Sequence, residues 1–226
     1  MADEGRPIPP RITVLGLGPG RIEHLTEQAQ AALLATSRRY LRTEHHPAAA
    51  SLWERGMPYA SYDGIYDSAE SLDEAYARIV SALLAAAEEE RDIVYAVPGT
   101  PSVGEETVRR LREAASRGEI RLEVVSGVSF IDAAFDALGV DPLAEGARIV
   151  DGRRIVEQVS GGGQPLLVAQ VDARMFRQPA VSANRLDIQV VGRVIGQSGE
   201  IRRGEGHRLG RQADGARPER VGTIRR

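Results

Sequence analysis

Residues 12–20 read Ile12-Thr13-Val14-Leu15-Gly16-Leu17-Gly18-Pro19-Gly20. An apolar, partly β-branched run that stops at a Gly-Pro cluster has the pattern of a buried strand ending in a glycine loop. The pattern returns twice. Ile93-Val94-Tyr95-Ala96-Val97 is cut off by Pro98-Gly99-Thr100-Pro101, and the strand Arg121–Val125 runs into Ser126-Gly127-Val128-Ser129. Helical periods lie between these strands. Thr26 is placed to cap Glu27–Ala35, with Ala29, Ala32 and Leu33 on one face. Ser71 and Glu74 have capping-box spacing and open a long helix whose stripe is Leu72, Tyr76, Ile79, Val80, Leu83 and Leu84. A further helix spans about 105–117. Strands alternating with helices predict βαβ units and a parallel sheet covered on both faces.

The smaller features fill in around this frame. A short strand is predicted at Tyr40-Leu41-Arg42, a turn at His45-His46-Pro47 and a helix over 49–55. Past the third loop, a helix runs from Phe130 to Leu138 and is closed by Gly139. Ile149-Val150 and Leu166-Leu167-Val168-Ala169 are strand candidates on either side of a loose linker at 160–164. There is no internal repeat.

Composition narrows the chemistry. The chain has 226 residues and a net charge of −3, with no Cys, so disulfides, thiolate zinc sites and cysteine nucleophiles are excluded. All 29 basic residues are Arg, which removes any Walker, Schiff-base or general-base lysine. No apolar run approaches a membrane span, and the opening MADEGRPIPP lacks the order of a signal peptide. A cytoplasmic protein with no membrane partner is the expectation. The charge is uneven: from Met175 to Arg226 eleven Arg stand against five acidic residues, a local +6.

In an open parallel sheet, ligands sit outside the carboxyl ends of the strands, where all three glycine loops fall. The first loop resembles the GxGPG opening of the tetrapyrrole (class III) methylases. Tyr95-Ala96-Val97-Pro98-Gly99-Thr100-Pro101-Ser102-Val103 resembles their GGDP loop, and Val125-Ser126-Gly127-Val128-Ser129-Phe130 their third. Leu41-Arg42-Thr43-Glu44-His45-His46-Pro47, Gly127 to Ala134, Asp141-Pro142-Leu143 and Gln170-Val171-Asp172 resemble the branch fused to MazG-type pyrophosphohydrolases, here without the MazG part. The landmarks keep the family's order from about Arg11 to Arg174. A Rossmann domain also opens on a glycine loop, but here Pro19 and Gly20 follow Gly18 and the helix starts only near Thr26. Tyr40-Leu41-Arg42 stands where that fold needs an acidic residue for the ribose.

The resemblance implies an α/β methylase fold: a parallel-sheet first subdomain at 8–125, then an incomplete mixed α/β second subdomain beginning at 126–174. It implies S-adenosyl-L-methionine (SAM) as cofactor, a small-molecule acceptor and a homodimer. It carries cofactor contacts over to Pro19, Pro98, Gly99, Thr100, Val103, Ser129, Phe130 and Gln170. Backbone groups on close-approaching glycine loops suit such a ligand, and methyl transfer by in-line displacement draws mostly on positioning. One departure is chemical: Thr100 stands where the family pattern has Asp, which removes an acidic contact. The rival reading is a non-catalytic SAM or nucleotide sensor derived from a MazG-fused enzyme.

The histidines are weaker signals. His45 and His46 read as exposed turn residues against the rival reading of a general base, His24 lies on the loop before the first helix, and no metal set is apparent. The segment 175–226 is Arg- and Gly-rich, lacks a sustained period after a short hairpin candidate at Val190-Val191 and Val194-Ile195, and is expected to be irregular. An out-of-frame translation from about Arg174 accounts for that change of character. A basic tail binding nucleic acid is the rival, disfavoured because aromatics for stacking are missing.

Overall fold

The computed structural model describes residues 8–154 and 165–170, with the backbone of 189–190 and 207–208. The chain divides into two compact units with the boundary between Phe130 and Ile131.

The first unit is built on five parallel strands: β1 (Arg11–Gly16), β2 (Arg39–Leu41), β3 (Ala60–Ser61), β4 (Asp92–Val97) and β5 (Arg121–Val125), in the order β3-β2-β4-β1-β5. Every residue of β1 after Arg11 is buried, as expected of an inner strand. Side chains alternate across the sheet. Ile12 and Val14 of β1 and Ile93, Tyr95 and Val97 of β4 share one core with α4 (Leu72–Glu90) and α5 (Glu106–Ser116). Leu15 of β1 and Val94 and Ala96 of β4 face α1 (Glu27–Ala35) and α2 (Pro47–Glu54) on the other side.

Local signals set the helix ends. The Thr26 hydroxyl accepts from the Ala29 N–H at 3.2 Å, and Ser71 Oγ accepts from Glu74 N–H at 3.1 Å. Glu74 returns a bond, but from the N–H of Glu70 at 2.9 Å rather than that of Ser71. The buried face of α4 is Ala75, Ile79, Leu83 and Ala87, whereas Leu72 is 54% exposed. The predicted stripe is therefore rotated: the small Ala75 and Ala87 allow close packing, and Leu72 in the first turn lies beyond it. α2 starts at Pro47, two residues earlier than predicted, because proline is at home in a first helical turn. The two-residue β3 and the short α3 (Asp63–Ser68) carry no clear sequence period.

In the second unit, α6 (Phe130–Leu138) buries Ala134 and Phe135, and β6 (Arg148–Asp151) pairs in parallel with β7 (Leu166–Ala169). Farther on, β8 (Gln189–Val190) pairs antiparallel with β9 (His207–Arg208), while Val191, Val194 and Ile195 of the hairpin candidate lie outside the described residues. The rest of the basic segment and the linker at 160–164 lie outside the described residues.

Candidate functional site

The chain leaves β1 towards β2 on one side and leaves β4 towards β5 on the other. Adjacent strands whose loops depart in opposite directions mark the ligand crevice of an open α/β sheet. The first two glycine loops lie there, and the loop after β5 joins them.

Their backbones meet without side chains between them. Gly18 N–H donates to the Gly99 carbonyl at 3.0 Å, and Gly99 N–H returns a bond to the Gly18 carbonyl at 2.7 Å. A Cβ on Gly16 would run into the Gly99 oxygen, with Gly127 Cα only 2.8 Å away; a Cβ on Gly127 would meet the same oxygen. Gly18 and Gly99 adopt φ of 77° and 65°, a region that favours glycine. Above Gly99 there is open space: an added Cβ would find nothing within 4 Å. Thr100 is buried, and its Oγ1 accepts from the Gly127 N–H at 3.3 Å. The Thr100 hydroxyl thus staples the second loop to the third.

The other expected contacts distribute as follows. Pro19 is buried beside the Gly18–Gly99 bridge, Pro98 is half-buried, and Val103 N–H closes a turn onto the Thr100 carbonyl at 3.2 Å. Ser129 and Phe130, both half-buried, complete the third loop and open α6. Gln170 lies in the second unit, exposed and at φ 59°, at the end of β7.

His46 corrects the expectation of an exposed turn histidine. Only 7% exposed, it is the N-cap of α2: Nδ1 accepts from Ala48 N–H at 3.2 Å, and Nε2 lies 3.0 Å from the Gly18 carbonyl. Burial pushes its pKa down to about 4, and the neighbouring Arg42 and His24 act in the same direction against the Gly18 bond. The clue in the sequence is His-Pro, since a proline in the first helical turn makes its predecessor a capping residue. His45 is exposed as expected, with Nε2 4.0 Å from Asp63. His24 is exposed at the end of a short 3₁₀ turn, Ile22–His24.

A second buried polar group carries no local sequence signal. Glu105, the N-cap of α5, has a side chain 7% exposed and lies 3.6 Å from Arg42 Nε. Burial raises its pKa to about 7 against the pull of Arg42. Tyr66 lies beside this guanidinium and the buried Tyr95 donates to or accepts from Thr107 Oγ1 at 3.2 Å close by.

With this geometry, the comparisons with known proteins are direct. The family model for Tetrapyrrole (Corrin/Porphyrin) Methylases matches residues 11–167. The uncharacterized protein YabN of Bacillus subtilis (strain 168) is 38% identical over 141 residues, which are 62% of this chain but only 28% of that protein. Uroporphyrin-III C-methyl transferase from Thermus thermophilus, solved with S-adenyl homocysteine, superposes with a TM-score of 0.57 at 21% identity over 88% of each chain. A putative cobalamin synthesis related protein (CobF) from Corynebacterium diphtheriae gives 0.53 at 18% identity, covering 80% of this chain and 77% of that one. The last two establish a shared fold. A family model that spans well over half the chain, over residues that include all three glycine loops, shows that this protein belongs to the tetrapyrrole (corrin/porphyrin) methylase family.

Proposed function

We propose that the protein binds SAM at the three converging loops and transfers its methyl group to a small-molecule acceptor. The observation that carries this reading is the crevice itself. Gly16, Gly99 and Gly127 pack backbone to backbone, and Gly99 presents a bare Cα to open space. Such a surface lets a ligand reach peptide groups that a side chain would screen. The fit is to a compact ligand held by backbone rather than by charge. Pro19, Pro98, Gly99, Thr100, Val103, Ser129 and Phe130 would hold the cofactor. SAM, when bound, supplies an electrophilic methyl group; the chain's task is to orient it. Support also comes from the fold shared with a methyl transferase solved with S-adenyl homocysteine.

A second reading, a non-catalytic SAM- or nucleotide-binding regulatory domain, is favoured by one observation. Residue 100 is a threonine, which supplies no acidic group, and its hydroxyl accepts from the Gly127 N–H. Calorimetric titration with SAM and S-adenosyl homocysteine, with Gly99→Trp alongside, tests binding. The expected result is saturable binding to the wild type and at least about a tenfold loss in a variant that keeps its circular dichroism, since the indole would fill the open space. No binding to the wild type would overturn the proposal. Methyl transfer from labelled SAM to any acceptor would then separate the enzyme from the regulator.

A further inference from the structure

We propose that His46 is a positioning residue for the cofactor loops, a neutral clamp that ties the bridge between the first two loops to the start of α2. This inference rests on the SAM-binding reading and assigns a role to a side chain outside the loops themselves.

Hydrogen-bond chemistry fixes the state of the ring. The Gly18 carbonyl can only accept, so His46 Nε2 carries a proton. The Ala48 N–H can only donate, so Nδ1 carries none. One neutral tautomer satisfies both partners, and the ring is enclosed enough to hold it. The Gly18 oxygen then receives two donors, Gly99 N–H at 2.7 Å from the second loop and His46 Nε2 at 3.0 Å from α2. Both its lone pairs are engaged. The peptide that precedes Pro19 is thereby held from both the second loop and α2. Without the imidazole, that carbonyl keeps one bond, and the bridge loses its tie to the helix.

Two substitutions separate the two halves of the ring. Asn places its amide about as far along the side chain as Nδ1, so His46→Asn keeps the helix cap and loses the donor to Gly18. Gln places its amide near Nε2, so His46→Gln keeps a donor and loses the cap. SAM affinity is expected to fall by about tenfold in His46→Asn at a melting temperature close to wild type. His46→Gln is expected to melt earlier yet bind within about threefold of wild type. Independently, 15N resonances of the wild-type imidazole should show the Nε2–H tautomer without any ligand. Wild-type affinity in a folded His46→Asn, or a ring protonated on Nδ1, would overturn the role of His46. No SAM binding by the wild type would instead overturn the cofactor reading itself.

Discussion

Two buried ionisable residues give the protein opposing responses to pH. His46, neutral in the fold with its pKa at about 4 against an ordinary 6.5, contributes stability that is complete above pH 6.5 and is lost as pH falls towards 4. Glu105, raised to about 7 from 4.5, acts in reverse: the folded state holds a proton that the unfolded chain has released, so stability falls as pH rises from 4.5 to 7. Each amounts to on the order of 3 kcal/mol at most, so over pH 4.5–6.5 the two largely cancel. Arg42 faces both groups, with His24 also at His46 and Tyr66 and Tyr95 at Glu105. Denaturant titrations at several pH values should show a steeper rise with pH in Glu105→Gln and a fall in His46→Asn. A wild-type slope in Glu105→Gln would contradict this assignment. The glycines make a separate test. Gly127→Ala forces a Cβ onto the Gly99 oxygen and should cost about 2–3 kcal/mol. Gly99→Ala meets open space and should cost only the backbone conformation, about 1–2 kcal/mol, by the same measurement.

Among the elements, those with strong local periods were legible in advance and those set by distant partners were not. β1, β4 and α1 announce themselves by apolar runs, a glycine stop and a capping threonine, because each signal lies within a few residues of its effect. Strand order is different. β1 pairs with β4, Arg11 opposite Asp92, across eighty intervening residues, and nothing local states it. The same holds for Arg42 and Glu105, brought together only by the sheet. The glycine loops and their place at the strand ends were readable, whereas the Thr100–Gly127 staple and the His46–Gly18 contact join residues far apart in sequence and were not. On α4 the apolar stripe was legible but not its centre, since alanine reads weakly as a core residue. Leu83→Ala should lose about 2–5 kcal/mol, while Leu72→Ala should stay within about 0.5 kcal/mol, judged from denaturation midpoints at equal m-value. Equal losses would mean that Leu72, not the Ala75–Ala87 line, carries the packing.

At the scale of the whole molecule, the family assignment covers residues 11–167 and so includes the sheet, its three loops and part of the second unit. The chain spans 28% of the length of YabN, and the activity of such a longer protein is not carried over by the match. No helix among the described residues is long and apolar enough to cross a membrane. What is common to the fold and the loops is a backbone-lined crevice at the carboxyl ends of β1, β4 and β5, and the proposed function stands on that crevice receiving SAM. The most direct measurement follows the amide resonances of 15N-glycine-labelled protein as SAM is added. Shifts concentrated at Gly16, Gly18, Gly99 and Gly127, with Gly118 at the far end of α5 unmoved, are the expected result. Saturating SAM that leaves those four resonances in place would contradict a cofactor site at the loops.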